Sequence, residues 1–397
     1  MGRRGNAGRD VALAAAASAL PDRMFFGVID WHYRYQRPQH LAVQFAARGR
    51  RVFYFSSEFV DNDAPGFDAE ALDPSGGLMQ IRLHLRGAHA IYFHGATRYQ
   101  TRQLRAGLEL FAAWAEPADP EILIQHPYWF PVIAGLGRSL LVYDCMDYHE
   151  GFDAFSKDLQ HAEHGLFRMA DITVVTSVWL ESYARRYAAR TAVIRNGVDY
   201  AFFSARPDSI FQDPEGRRVL GYYGEIGEWF DANLVASVAS AFPDCLVLLI
   251  GNDSGCMQKR LRKHENVRFM GEVPYQALPF YLYGFDVCML PFQVTPLTLA
   301  TNPVKLYEYL AAGNPVVSVP IPEAKACADY IWVAEDVAAF SRAIGDALSA
   351  DGGLQAQRQA FAAKQTWRER ARHFDAVVET TKAETAPVVS GAEAAGG

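Results

Sequence analysis

Thr301-Asn302-Pro303-Val304-Lys305-Leu306-Tyr307-Glu308-Tyr309-Leu310-Ala311-Ala312-Gly313-Asn314-Pro315, followed by the apolar run Val316-Val317-Ser318-Val319, is the most informative stretch of the 397-residue chain. Asn302 predicts the cap of a helix, Pro303 suits its first position because no amide partner is needed there, and Gly313 closes it in a left-handed turn. Lys305 is unusual in the first turn, where the helix macrodipole disfavours a cation and the free amides attract an anion. A phosphate at the helix start, beside Thr301 and Asn302, would reconcile the two. Glu308 emerges on nearly the same flank one turn deeper. A carboxylate there can accept both hydroxyls of a ribose whose diphosphate lies at the helix start. The same spacing also fits an ordinary surface Lys-Glu pair worth about 0.2–0.5 kcal/mol.

The surrounding chain shifts the balance toward a ligand site. Strand-like runs at 219–223, 245–250, 267–269, 287–290, 316–319 and 330–333 alternate with helical segments, which predicts a parallel sheet covered by helices. Gly224 follows the first of these runs. Gly271-Glu272-Val273-Pro274-Tyr275 follows another, so the backbone at Val273 and Pro274 can meet the edge of a base with Tyr275 packed nearby. Tyr275 suits core packing equally well.

A second alternation precedes this one. Residues 24–29 are a continuous apolar strand, 38–48 show helical spacing that ends at Gly49, and 51–55 form the next strand. Loops at the C-terminal ends of such strands face the ligand crevice, so Arg37, Gln39 and His40 are candidates for holding an anion or a sugar, or for packing the loop. Residues 61–80, rich in Asp, Pro and Gly, read as a loop. Arg98, Arg102 and Arg105 share one side of a helical segment, a basic face that either meets anionic lipid or is simply solvated. Strands at 121–125 and 140–143 deliver His126 and Asp147 toward one crevice, where they can act as general base or charge stabiliser. Asn196-Gly197 is a strong turn signal, and the polar connector after it marks a domain boundary.

Half of the residues are hydrophobic, and 38 basic against 45 acidic residues give a net charge of −7, which argues against a nucleic-acid binder. The five cysteines have no paired spacing and read as buried thiols in a reducing compartment. No apolar run approaches the roughly 20 residues needed to span a bilayer. Arg3, Arg4 and Arg9 precede a short apolar segment that ends near Ala17-Ser18-Ala19, the outline of a signal peptide; Asp10 and the alanine-dominated run instead favour a frayed cytosolic extension.

Together the marks Arg37-Pro38-Gln39-His40-Leu41-Ala42, Asn196-Gly197-Val198-Asp199, Gly271-Glu272-Val273-Pro274 and 303–315 resemble GT-B fold glycosyltransferases of the glycogen-synthase-like clan. Tyr143-Asp144-Cys145-Met146-Asp147 is similar to the bacterial cell-surface polysaccharide enzymes within it, of the teichuronic-acid and xanthan types. The resemblance implies an α/β protein with two Rossmann-like parallel-sheet domains facing a central cleft. Their expected extents are 23–205 on the acceptor side and 206–365 on the nucleotide-sugar side, with a helix at 366–382 crossing back to the first. Residues 1–22 would be an extension and 383–397 a disordered tail.

It further implies transfer of a sugar from a nucleotide diphosphate sugar, with UDP the expected nucleotide, to a glycan or lipid-linked acceptor. No metal or cofactor is implied, and the protein is expected in the cytoplasm, with peripheral contact at the inner membrane surface as the alternative. Glu308 matches the ribose-binding glutamate, Lys305 a phosphate ligand and Val273 the backbone contact to the base. His126 matches a histidine near the donor sugar in retaining members, and Asp147 lies where a base serves in inverting ones. Two departures leave the stereochemistry open. Ala300 stands eight positions before Glu308 where many retaining members have another glutamate, and Gly224-Glu225-Ile226-Gly227-Glu228-Trp229 replaces a segment that usually supplies an Arg and a Lys. An epimerase of the same architecture and a non-catalytic sugar-nucleotide or glycan binder are the other classes compatible with the residues.

Overall fold

The structure is a computed structural model that describes residues 20–152 and 154–385. Most of the expected extension and tail, residues 1–19 and 386–397, lies outside the described residues.

The first sheet contains β1 (Arg23–Phe26), β2 (Val52–Phe55), β3 (Phe67–Ala71), β4 (Leu78–Leu83), β5 (Glu121–Ile124), β6 (Leu140–Cys145), β7 (Ile172–Val175) and β8 (Thr191–Val193). They lie in the order β3-β4-β2-β1-β5-β6-β7-β8. The second sheet contains β9 (Arg218–Tyr223), β10 (Cys245–Ile250), β11 (Val267–Gly271), β12 (Val287–Leu290), β13 (Val316–Ser318) and β14 (Trp332–Val333), in the order β11-β10-β9-β12-β13-β14. Every pairing is parallel except that of β3 with β4.

Burial on both faces explains why these strands are continuous apolar runs. Along β1, Met24 and Phe26 enter one core layer while Phe25 enters the other, as the period-two alternation of a strand requires. The second sheet has a separate core of its own.

Residues 61–80 do not form the expected loop. Phe67–Ala71 is a half-exposed edge strand, and the turn into β4 is fixed by Asp73, which accepts from the amides of Ser75 (2.7 Å) and Leu78 (2.5 Å). Its charged residues hid it: Glu70 meets Arg82 at 3.1 Å, and charges of this kind protect a sheet edge from unwanted pairing.

The last helix, Trp367–Thr385, closes the far face of the first sheet. Trp367, Phe374 and Val378 complete the layer containing Phe25, Tyr54 and Val142. Asp375 accepts from Arg23 (3.1 Å) and Arg48 (2.7 Å), and Lys382 reaches Glu121 at 2.8 Å. The helix runs past the expected end at 382, and Glu384 meets Arg190 at 3.3 Å. Asp22, placed by sequence in the extension, is buried and takes Arg51 and the Ala118 amide. Four cysteines are buried as expected, but Cys256 is exposed.

Chain connections between the sheets approach one another closely. Val198 and Thr366 form a bridge, and a side chain at Gly197 would collide with the backbone of Trp367, so the Asn196-Gly197 turn needs its glycine for close approach.

Candidate active site

A cleft of about 1030 Å³ opens between the C-terminal ends of the two sheets. Its second-sheet wall is built around the helix Val304–Ala312, which ends at Gly313 in the left-handed conformation (φ 84°). Lys305 and Glu308 both face the cleft. The Lys305 chain passes over the end of β9, where Gly224 has φ 130° and a Cβ would overlap Lys305 Cε. Its ammonium lies 5.7 Å from the centre of the Tyr222 ring. Glu308 is only 6% exposed and accepts from the Tyr223 hydroxyl at 2.8 Å.

Burial governs both charges. It lowers the pKa of Lys305 despite Glu308 and Glu225 nearby, and it pushes Glu308 up to about 7 against the Tyr223 hydrogen bond and Lys305. A lysine pushed toward neutrality in the first turn of a helix is a site that an anion would stabilise.

Asn302 does not cap this helix; Pro303 occupies the cap position without a side-chain hydrogen bond. The Asn302 side chain accepts from the Asn196 amide (2.7 Å) and donates to Tyr307 (3.0 Å) and Glu323 (3.1 Å), tying the helix start to the interdomain turn. It sits on the cleft wall as structure. Thr301 lines the cleft too, with its hydroxyl donating to the Leu297 carbonyl at 3.0 Å. Val273, Pro274 and Tyr275 line the same wall after β11. Tyr275 stacks on Phe202 at 5.2 Å, and its hydroxyl is buried without a protein partner.

The other wall corrects several sequence expectations. Arg37 is buried in an ion pair with Asp144 (2.7 Å) and also donates to the Ile194 carbonyl at 3.0 Å. Gln39 donates to the carbonyls of Asp30, Trp31 and Arg34 (3.2, 3.3 and 2.6 Å). His40 stacks on Trp367 at 4.8 Å, and burial lowers its pKa to about 3. None of the three is among the cleft-lining residues. They face inward because they lie on the first turn of the helix Arg37–Ala47, whose buried face packs against the sheet and the last helix. Gln39 holds the loop before it through those three carbonyls and His40 meets the Tyr35 ring edge-on at 4.4 Å, while Trp31, Arg34 and Tyr35 reach the cleft instead.

His126 and Asp147 are delivered by adjacent strands, but only Asp147 lines the cleft. His126 is 1% exposed, its Nδ1 accepts from the Tyr128 amide at 3.3 Å, and burial followed by His149 holds its pKa well below normal. Asp147 is reached by solvent from the cleft, yet close protein surroundings raise its pKa, with His149 opposing and Glu163 assisting. Behind it, His149 Nδ1 meets Glu163 at 2.7 Å, and Glu163 also accepts from Tyr143 at 2.5 Å. Burial lowers the His149 pKa, but Glu163 and Asp147 outweigh it and leave a net rise. Asp147 therefore faces a charged, hydrogen-bonded support.

Sequence reading missed Arg34, Tyr223, Glu225, Gly251, Asn252 and Glu272 on the cleft walls. Five of these close or follow strands, and the same strand-end position that singled out Gly224 and Val273 would have found them. Among the described residues, no group of three or more His, Cys, Asp or Glu side chains is placed to hold a metal ion.

Over 92% of its length the chain matches all of the sucrose-phosphate synthase from Thermosynechococcus elongatus, with TM-score 0.68 and 17% identity. The fold is GT-B. HepE from Anabaena, solved in complex with UDP and glucose, matches 91% of this chain and 100% of its own with TM-score 0.63 and 14% identity. Residues 218–350, which contain the Lys305 and Glu308 helix, match the family described as glycosyl transferases group 1, so this GT-B chain carries a group 1 glycosyltransferase domain. TuaH of Bacillus subtilis (strain 168), named as a teichuronic acid biosynthesis glycosyltransferase, is 31% identical over 214 residues. That match covers 49% of this chain and 54% of TuaH, so it spans about half the length of the curated relative.

Proposed function

We propose that this GT-B protein transfers a sugar from a nucleoside diphosphate sugar, a UDP-sugar in the first instance, to a glycan or lipid-linked acceptor in cell-surface polysaccharide synthesis. The observation that carries the reading is the joint placement of Lys305 and Glu308 on one wall of the interdomain cleft, each pushed toward neutrality by burial. Lys305 and the helix amides take the diphosphate, Glu308 takes the ribose hydroxyls, and the backbone around Val273 takes the base. HepE with its UDP and the naming of TuaH support the donor class and the acceptor class respectively.

In the transfer, an acceptor oxygen attacks the anomeric carbon and the bond from that carbon to the diphosphate oxygen breaks, leaving its electrons on the diphosphate. The proton of the acceptor hydroxyl passes to Asp147, whose raised pKa makes it a stronger base than an ordinary aspartate. Its place on the first-sheet wall puts it opposite the donor helix. Lys305 and the helix amides meet the charge on the leaving group, so the reaction needs no metal or cofactor in this reading.

No described helix is long and apolar enough to cross a membrane. The helix Arg98–Ala115 exposes Arg98, Tyr99 and Arg102, and this basic and aromatic edge supports peripheral contact with an anionic inner membrane surface that presents the acceptor. Arg105 is engaged instead by the Pro131 carbonyl at 2.6 Å.

The test is a thermal-shift panel of UDP-, GDP- and ADP-sugars followed by donor turnover with wild type and Lys305→Ala. We expect one base to stabilise the protein and Lys305→Ala to lose that gain, with affinity for the nucleoside diphosphate falling about tenfold or more. A Lys305→Ala variant that keeps full donor turnover, or formation of an epimer from donor alone, would sink the reading.

A further inference from the structure

The cleft is lined by four carboxylates, Asp147, Glu225, Glu272 and Glu308, against two basic side chains, Arg34 and Lys305, of which only the guanidinium is permanently charged. A diphosphate would add at least two more negative charges to walls that already carry an excess. Lys305 alone does not balance it, and its own charge is disfavoured by burial.

Arg34 projects from the first domain's loop and closes across the cleft. Its Nη1 donates to Glu225 Oε2 at 2.9 Å and its Nε to Glu272 Oε1 at 2.7 Å, while the guanidinium lies 4.8 Å from the Tyr33 ring centre. Glu225 follows β9 and Glu272 follows β11, so one side chain spans two loops of the second sheet. The backbone of Arg34 is fixed, because its carbonyl accepts from Gln39 at 2.6 Å. The side chain can therefore change partners without moving the loop. Glu225 keeps a partner if Arg34 departs, since Asn252 Nδ2 donates to its other oxygen at 2.9 Å. Arg34 is also near enough to Lys305 to depress its pKa, so the two cations approach the same space from opposite walls.

We propose that Arg34 is the second cation of the donor site: when a nucleoside diphosphate binds, its guanidinium exchanges Glu225 and Glu272 for a phosphate oxygen and clamps the first domain onto the ligand. This rests on the reading of the cleft as a nucleoside diphosphate site. A guanidinium suits the exchange because its planar fork matches carboxylate and phosphate oxygens alike and it stays charged throughout. The glutamates hold the side chain in place until the ligand arrives, and they set a threshold that a neutral ligand cannot pass.

The test uses the full chain, titrating UDP by calorimetry and uridine by ligand-detected NMR, with wild type, Arg34→Gln and the double variant Glu225→Gln/Glu272→Gln. Arg34→Gln should weaken UDP about ten- to a hundredfold, the range of one charge-assisted hydrogen bond, and leave uridine unchanged. The double variant should tighten UDP severalfold, because Arg34 no longer leaves charged partners. Unchanged UDP affinity in Arg34→Gln, an equal loss of UDP and uridine, or weaker UDP binding by the double variant would each overturn the exchange while leaving the donor reading intact. Failure of the wild type to bind UDP or any other nucleoside diphosphate would remove both, and is recognised before any variant is made.

Discussion

Glu308→Gln should make the protein more stable in alkaline solution and less able to bind its nucleotide. The side chain is 6% exposed, and burial raises its pKa from 4.5 to about 7 against the opposing effects of Tyr223 and Lys305. A carboxyl whose folded pKa is raised holds its proton more tightly in the folded state than in the unfolded chain. Stability is therefore lost as pH rises from the unfolded value through the folded one. Those two values convert to a full cost of about 3 kcal/mol once pH exceeds 7. Glutamine has the same shape, keeps an oxygen for the Tyr223 hydroxyl, and does not titrate.

The two proteins should melt within a degree or so of each other near pH 4, below the unfolded value. By pH 8 the variant should lead by about 1–3 kcal/mol, at about 2–4 °C of Tm per kcal/mol for a domain of this size. Scans of both proteins at half-unit pH steps read the difference directly. A gap that stays constant from pH 5 to 8 would refute the argument that desolvation of a charge dominates here. Added UDP at a hundred times its Kd should stabilise wild type by about 2.7 kcal/mol, and the variant much less, because the ribose hydroxyls lose a charged acceptor. UDP affinity of the wild type should rise with pH through 7, as the carboxylate form becomes populated.

Gly224→Ala should abolish UDP-induced stabilisation while leaving secondary structure by circular dichroism unchanged, since the added methyl overlaps Lys305 Cε at a backbone angle of φ 130°; undiminished UDP binding would show that Lys305 is not a ligand. Asp147→Asn should cut kcat about 10²–10⁴-fold with UDP affinity preserved, and steady-state kinetics with a competent acceptor checks this. Arg37→Ala should cost about 3–5 kcal/mol, because it leaves Asp144 buried without its ion partner. Denaturant unfolding should show that loss, and a variant of undiminished stability would return Arg37 to the list of ligand contacts.

Much of the architecture was legible in the chain because its causes are local. Strands buried on both faces must be apolar throughout, so β5, β6, β10 and β12 announced themselves within a residue or two. The edge strand β3 did not, because only one side of it is covered and its sequence carries the charges that protect an edge. The helix Val304–Ala312 was readable for the same reason: a cation in a first turn and an acid three residues later need only helix geometry to be placed on one flank.

For the polar residues near the opposite wall the sequence left ligand contact and loop packing as alternatives, and Arg37, Gln39 and His40 take the packing one. Arg37, Gln39 and His40 share a segment with Arg34, and although Gln39 is held by carbonyls of the adjoining loop, nothing within a few residues distinguishes Arg37 and His40, which turn inward, from Arg34, which turns out. The distinction comes from partners far along the chain: Asp144 for Arg37, Trp367 for His40, and for Arg34 a glutamate 238 residues away. Asn302 is a similar case, a sound capping residue by type that is recruited by Asn196 from 106 residues away.

By itself, then, the sequence determined the two α/β alternations and the helix with Lys305 and Glu308 on one flank, because apolar periodicity, helix-closing residues and turn chemistry act over a turn or two of chain. Only the tertiary structure decided which polar groups meet across the cleft, which are sealed behind it, and how far burial moves Glu308 and Lys305 from their ordinary charge states. Desolvation and ion pairing depend on what packs around a group in space, and those neighbours come from the other sheet, the last helix and the loops that join them.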